Sequence, residues 1–147
     1  MDKKRIEFLK KDYVQGFVKF CGFQVRRIEN GFFESCLALQ KEHLQQDGFV
    51  HAGVIATMSD HTAGYSAFTL VPDDHQILTI EFKINYFKPA VGNELVCRAK
   101  VINQGKKIIV SESEVFSIKN KNEKLVSKAM VTMMSVPLKD LQKSSAD

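Results

Sequence analysis

The chain has no apolar run long enough to cross a membrane. Its longest candidate, residues 54–70, falls short of the roughly 20 that a span needs, and Asp60 and His61 interrupt it. The N-terminal stretch MDKKRIEFLKK lacks an apolar core of signal-peptide length, so export is not expected. Cysteine is scarce: Cys21, Cys36 and Cys97 are odd in number and show no paired spacing. That speaks against a disulfide framework and fits buried thiols in a reducing compartment, so a cytoplasmic protein is expected. Neither sign of charge dominates. Lys and Arg number 21 against 17 Asp and Glu, a net +4 that is too small for a nucleic-acid binder but suits a small anionic ligand. Repeats and low-complexity linkers are missing as well. A length of 147 residues suits one domain with a real core, so residues 1–147 are expected to form a single domain.

What the chain does have is one stretch that the rest can be organised around, residues 45–68, QQDGFVHAGVIATMSDHTAGYSAF. It opens with polar residues and Gly48, then turns small and apolar for about five helical turns. Ala52, Ala56, Asp60, Ala63 and Ala67 follow one another at helical spacing, which puts a single carboxylate on a stripe of alanines. Such a stripe lets a sheet or a second helix approach closely. An ionised carboxylate there must find a partner or shift its pKa, because burying an unpaired charge is costly.

Before this stretch, Ile6, Leu9, Tyr13, Phe17 and Phe20 recur at helical spacing, which predicts one amphipathic helix over 3–20. From Cys21 the period changes to two through Phe23, Val25 and Ile28. Asn30-Gly31 then signals a hairpin, since both residues tolerate positive φ, with a return strand over 32–39. A polar loop, 40–48, leads into the long helix. After the turn Val71-Pro72-Asp73-Asp74 come four strand-like runs at 77–86, 95–103, 108–119 and 125–137. Their short connections, 89–93, 104–106 and 120–124, imply an antiparallel order. The polar tail from Lys139 is expected to fray. Six strands with one long helix between the second and third make an α+β architecture in which a curved sheet wraps the helix. A helix apolar on most of its surface needs further cover, which a second copy of the chain could supply.

The pattern Gln45-x-x-Gly48-x-x-His51-Ala52-Gly53, with Asp60 nine residues after the histidine, resembles the hotdog-fold acyl-CoA thioesterases, closest to the phenylacetate-pathway and hydroxybenzoyl-CoA type. Thr79, the segment Asn85-Tyr86-Phe87-Lys88-Pro89-Ala90 and the turn Gln104-Gly105-Lys106 extend the likeness over most of the chain. The resemblance implies a hotdog fold, paired into homodimers and often into tetramers as dimers of dimers, hydrolysing acyl-CoA without metal or cofactor. One departure is plain: many relatives have His-Gly-Gly where this chain has His51-Ala52-Gly53. Alanine keeps the backbone N–H that the resemblance assigns to the thioester carbonyl and adds a methyl group near the acyl chain.

Thioester hydrolysis needs a nucleophile or an activated water, with donors aimed at the developing oxyanion. On this resemblance Asp60 attacks or activates water. The Ala52 N–H is the oxyanion donor, beside Gly53 at the helix start, where amides are unpaired and the dipole favours negative charge. Gln45 donates its amide to the carbonyl or the water, His51 orients the loop or the substrate, and Thr79 bonds the water or Asp60. Lys106, Lys107, Lys119, Lys121 and Lys124 are candidates for the coenzyme phosphates, against the plain reading of solvated turn lysines. Asp60 also has a plain reading, a structural carboxylate bonded to Thr57 or Thr79. Two other functions compete. A hydroxyacyl-thioester dehydratase would pair its acid with a nearby catalytic histidine in an Asp-x-x-x-x-His pattern, where this chain has Tyr65. A non-catalytic acyl-CoA sensor would need no in-line carboxylate.

Overall fold

The computed structural model describes residues 1–144. Asp2 opens the first helix, α1 (Lys3–Tyr13), by accepting the Arg5 N–H on Oδ1 at 2.8 Å. The expected single helix over 3–20 breaks after Tyr13. Gly16 takes φ +52° and begins a separate short helix, α2 (Gly16–Cys21), which Gly22 closes at φ +83°. The apolar period runs on across the break, which is why the pattern alone does not reveal it.

The hairpin at Asn30-Gly31 forms between β1 (Gln24–Glu29) and β2 (Phe32–Ala38), but only Gly31 adopts positive φ, +71°. A polar loop with one 3-10 turn at Lys41–His43 leads to the long helix, α3 (Ala52–Phe68). Then follow β3 (His75–Tyr86), β4 (Glu94–Gln104), β5 (Ile108–Lys119) and β6 (Asn122–Pro137). The turn between β5 and β6 is the one with both central residues left-handed, Asn120 at φ +51° and Lys121 at +66°. The tail expected to fray is instead helical, α4 (Leu138–Ser144), and its remainder, 145–147, lies outside the described residues.

All six strands join one antiparallel sheet in the order β1-β2-β4-β5-β6-β3. The orientation is as expected; the neighbours are not. β3 lies beside β6 at the far edge, away from β4. Its connection to β4, residues 87–93, crosses three inter-strand steps, about 14 Å, which an extended stretch of that length covers easily. The edge it occupies is apolar and open: Ile80 is 56% exposed, and Leu78 and Phe82 are also exposed.

The sheet wraps α3, burying Ile55, Met58, Ser59, Thr62, Ala63, Ser66 and Ala67. Hydroxyl pairs bridge helix to sheet, Ser66 with Ser111 at 2.9 Å and Thr62 with Ser35 at 2.7 Å. The alanine stripe slants out of this core. Ala63 and Ala67 are buried, Ala56 and Asp60 are half-buried, and Ala52 is exposed. The thiols are less hidden than expected: Cys97 is buried, its pKa pushed up to about 12 by that burial, whereas Cys21 and Cys36 are only partly covered. No helix among the described residues is long and apolar enough to cross a membrane.

Candidate active site

The loop before α3 is tied by a chain of hydrogen bonds. Gln40 N–H donates to His43 Nδ1 at 2.9 Å, which places the neutral ring's proton on Nε2, and that group donates to Cys21 O at 2.9 Å. His51 N–H donates to His43 O at 2.8 Å, Gln45 N–H to Phe49 O at 2.8 Å and Val50 N–H to Ala90 O at 3.1 Å. Gly48, at φ +80°, closes the turn between them. The knot sets Gln45 at the lip of a cleft of about 290 Å³ that Phe49, Ala52, Tyr86 and Lys88 also line.

His51 caps α3 with extended backbone, and its Nδ1 accepts the Gly53 N–H at 2.9 Å. Its carbonyl accepts Val54 N–H at 3.0 Å and Ile55 N–H at 3.4 Å. Gly53 therefore has no free donor. Ala52 does: among the described residues its exposed N–H has no acceptor. The peptide that carries this N–H already accepts two bonds at its oxygen, which polarises the free end, and the helix dipole adds to it. Tyr86 Oη donates to Ala52 O at 3.0 Å and pins the first turn.

Eight residues further along α3, Asp60 Oδ1 accepts the Thr79 hydroxyl at 2.8 Å. Thr57, the other candidate partner, spends its hydroxyl on Gly53 O at 2.8 Å. Asp60 and Thr79 stand at one end of a second cleft, about 340 Å³, between α3 and the first residues of β3. Around it, His61 Nε2–H donates to Tyr13 O at 3.1 Å and Tyr65 Oη to Asp12 Oδ2 at 2.7 Å. Burial holds the His61 pKa below the ordinary imidazole value, so the ring is neutral at neutral pH.

The sequence-derived candidates thus divide between two places. Gln45 and Ala52 share the cleft at the helix start, Asp60 and Thr79 share the one at its middle, and His51 borders a third hollow with Phe17, Leu44 and Thr57. Along the axis Ala52 and Asp60 are about 12 Å apart. The lysines divide too. Lys106 and Lys107 precede β5, and Lys119 and Lys121 lie at its other end, more than ~30 Å away. One chain cannot bring both pairs to one coenzyme. Lys88 and Tyr86, which line the cleft with Gln45 and Ala52, are not among the sequence candidates; they enter there only as part of the segment 85–90 that extends the family likeness.

A long helix wrapped by a six-stranded antiparallel sheet is the hotdog architecture. The sequence match agrees: a family model described as the Thioesterase superfamily covers residues 47–124, more than half of the chain, and the chain belongs to that superfamily. A protein of Saccharolobus solfataricus named "putative esterase" is 32% identical over 127 residues, covering 86% of this chain and 87% of its own length. Among solved structures, a thioesterase family protein from Silicibacter pomeroyi superposes with a TM-score of 0.87 at 27% identity, covering 90% of this chain and 98% of the other. A thioesterase from Haemophilus influenzae has the same fold, with a TM-score of 0.80 at 18% identity over 90% of each chain.

Proposed function

We propose that this chain, as one domain over residues 1–147, hydrolyses acyl-CoA thioesters, RCO–S–CoA plus water giving the acid plus the thiol. Asp60 is the acting carboxylate. It either attacks the carbonyl carbon, giving an anhydride that water then opens, or takes a proton from the water that attacks. In both routes the carbonyl oxygen gains charge as the nucleophile adds to the carbon, and the Ala52 N–H and the Gln45 amide stabilise that charge until the C–S bond breaks and the thiolate leaves. His51 orients the first turn through its bond to Gly53, and Thr79 holds Asp60 or the water. Lys88 is the cation beside the oxyanion donors; the pair Lys106 and Lys107 and the pair Lys119 and Lys121 serve the coenzyme phosphates from different subunits. The three free cysteines fit a cytoplasmic location.

The observation that carries this reading is the separation of the two half-sites. A donor at the start of α3 and a carboxylate about 12 Å along it cannot meet at one carbonyl within a chain. Two antiparallel copies of α3 about a two-fold axis bring the start of each beside the middle of the other, twice over. The exposed apolar edge strand β3 is the surface such a pairing would cover, and the homodimer could pair again into a tetramer.

Two measurements test it. Incubation with a panel of acyl-CoAs and a thiol reagent should show release of CoA, whereas a sensor would bind without release. Asp60→Asn protein mixed under subunit exchange with a Gln45→Ala, His51→Ala double variant should recover activity from two inactive parents. Random exchange of equal amounts makes half of the dimers mixed, each with one intact site, so about a quarter of the natural turnover is expected. Purified mixed dimers as inactive as their parents would show that Asp60 acts within its own chain.

A further inference from the structure

We propose that the acyl chain lies along α3 in the groove that begins at Asp60, and that Gly64, with no side chain, leaves it room to reach Phe68. This rests on Asp60 being the acting carboxylate. The groove starts at the 2.8 Å Thr79–Asp60 hydrogen bond and runs past Gly64 and Tyr65 to Phe68, with Ile77 and Leu78 of β3 as the opposite wall. From Asp60 to Phe68 the helix rises about 12 Å. An extended chain advances a little over ~1 Å per bond, since the three backbone bonds of a residue span about 3.3–3.6 Å. A groove of that length takes roughly ten bonds. The fitting substrates are thioesters of straight acyl chains of medium length.

Ile77, Leu78 and Phe68 give the groove its apolar surface, and Gln76, which also lines it, accepts the Ile77 N–H on Oε1 at 3.0 Å. His61 and Tyr65 spend their Nε2–H and hydroxyl on Tyr13 O and Asp12, both on α1, so their polar ends are bound away from the groove. Gly64 forms part of its floor, and a Cβ built there would meet nothing within 4 Å. Glycine inside a helix is destabilising relative to alanine, so this position gives up stability and keeps open space beside the carboxylate. The far end is closed by Phe68, only 4% exposed. Its ring lies 4.5 Å beneath the Arg5 guanidinium and its carbonyl accepts from Arg5 Nη2 at 2.8 Å. A chain much longer than the groove would have to displace that clamp.

The experiment compares the natural chain with Gly64→Ala and Gly64→Leu on butyryl-, octanoyl-, decanoyl- and palmitoyl-CoA, with folding checked by circular dichroism and melting. The natural chain should show its highest kcat/KM at octanoyl- or decanoyl-CoA. In Gly64→Leu the ratio of decanoyl to butyryl kcat/KM should fall at least about tenfold, the effect of filling space meant for several methylenes. Gly64→Ala should fall between the two and melt no lower than the natural chain. A decanoyl-to-butyryl ratio unchanged in a folded Gly64→Leu variant overturns the proposal. Calorimetric binding of decanoyl-CoA to Asp60→Asn, with and without Gly64→Leu, separates this inference from the hydrolase reading. If no thioester is turned over but Gly64→Leu weakens binding about tenfold, the groove stands and the hydrolase reading fails. If binding is unaffected, the groove assignment fails whatever the turnover.

Discussion

The two ends of α3 are built on opposite plans. At its start the residues are exposed, and order comes from a relay of loop hydrogen bonds from Cys21 O through His43 to His51. Among the described residues, the Ala52 amide at the helix start is left with no partner. At its far end Ala63, Ser66, Ala67 and Phe68 are buried, and the closing groups are all paired. Thr69 Oγ1 donates to Ser66 O at 2.7 Å and accepts the Gly31 N–H at 2.7 Å, while Arg5 takes the Phe68 carbonyl. Asp60 sits between the two regimes, half-buried and held by a single hydroxyl. Stability is concentrated where every polar group is satisfied, and chemistry where one is left free, because a donor already engaged has nothing to offer a transition state.

The contrast is broken most sharply at its middle. Asp60→Asn should lower turnover at least about a hundredfold, the usual scale for a positioned acid, base or nucleophile. The side chain keeps its size and can still accept from Thr79, so the melting midpoint should stay near that of the natural chain. Near-normal turnover in the folded variant would falsify the assignment of Asp60.

At the buried end the expected effect is on stability. Gly31 holds φ +71° and ties the β1–β2 turn to Thr69. A Cβ there would find only ordinary contacts, Leu70 Cδ1 at 3.5 Å and Val101 Cβ at 3.7 Å, so the penalty for Gly31→Val is conformational. A β-branched residue forced into the left-handed region should cost about 2 kcal/mol, or roughly 4–8 °C in the melting midpoint of a chain this size. Turnover per folded molecule should change little. An unmoved midpoint would mean that the turn does not anchor the far end of α3.

The smallest effect concerns His61. Burial lowers its pKa in the folded state, so the unfolded chain binds more protons between that value and about 6.5. The neutral ring therefore contributes stability that is fully present above pH 6.5 and is lost as pH falls through that window. Desolvation sets the sign, outweighing the Tyr13 carbonyl, Asp60 and Asp12, which all favour the charged ring. The lowered carboxylates, Glu112 beside Lys100 and Lys128 and Glu123 beside Arg98, titrate below 4.5 and do not enter the same range. His61→Gln keeps a donor for Tyr13 O and should flatten the slope of stability against pH just below about 6.5. Urea titrations at a series of pH values measure it; equal slopes in both proteins would place the acid sensitivity elsewhere.

The sequence by itself determined what depends on neighbouring residues. The alternation of Phe23, Val25 and Ile28, the turn at Gly31 and the apolar run after His51 marked six strands and the long helix, with β5 placed to the residue at 108–119. These are local signals: side-chain period and turn chemistry are carried by adjacent positions. The break at Gly16 and the helix over Leu138–Ser144 escaped them, because apolar spacing persists through the first and polar residues fill the second. Tertiary structure decided the rest. Strand order is a matter of which surfaces meet, so the sequence could orient β3 but could not send it past β5 and β6 to the open edge. The motif placed Gln45, Ala52, Asp60 and Thr79 in one list, and only the fold shows them in two clefts, with Thr79 on Asp60 and Gly53 already bound to His51. Gly64 shows in the sequence only as a glycine inside a helix, with nothing to say what it leaves open. Its empty space exists because β3 lies opposite, and a gap between two elements distant in the chain is a property of their packing alone.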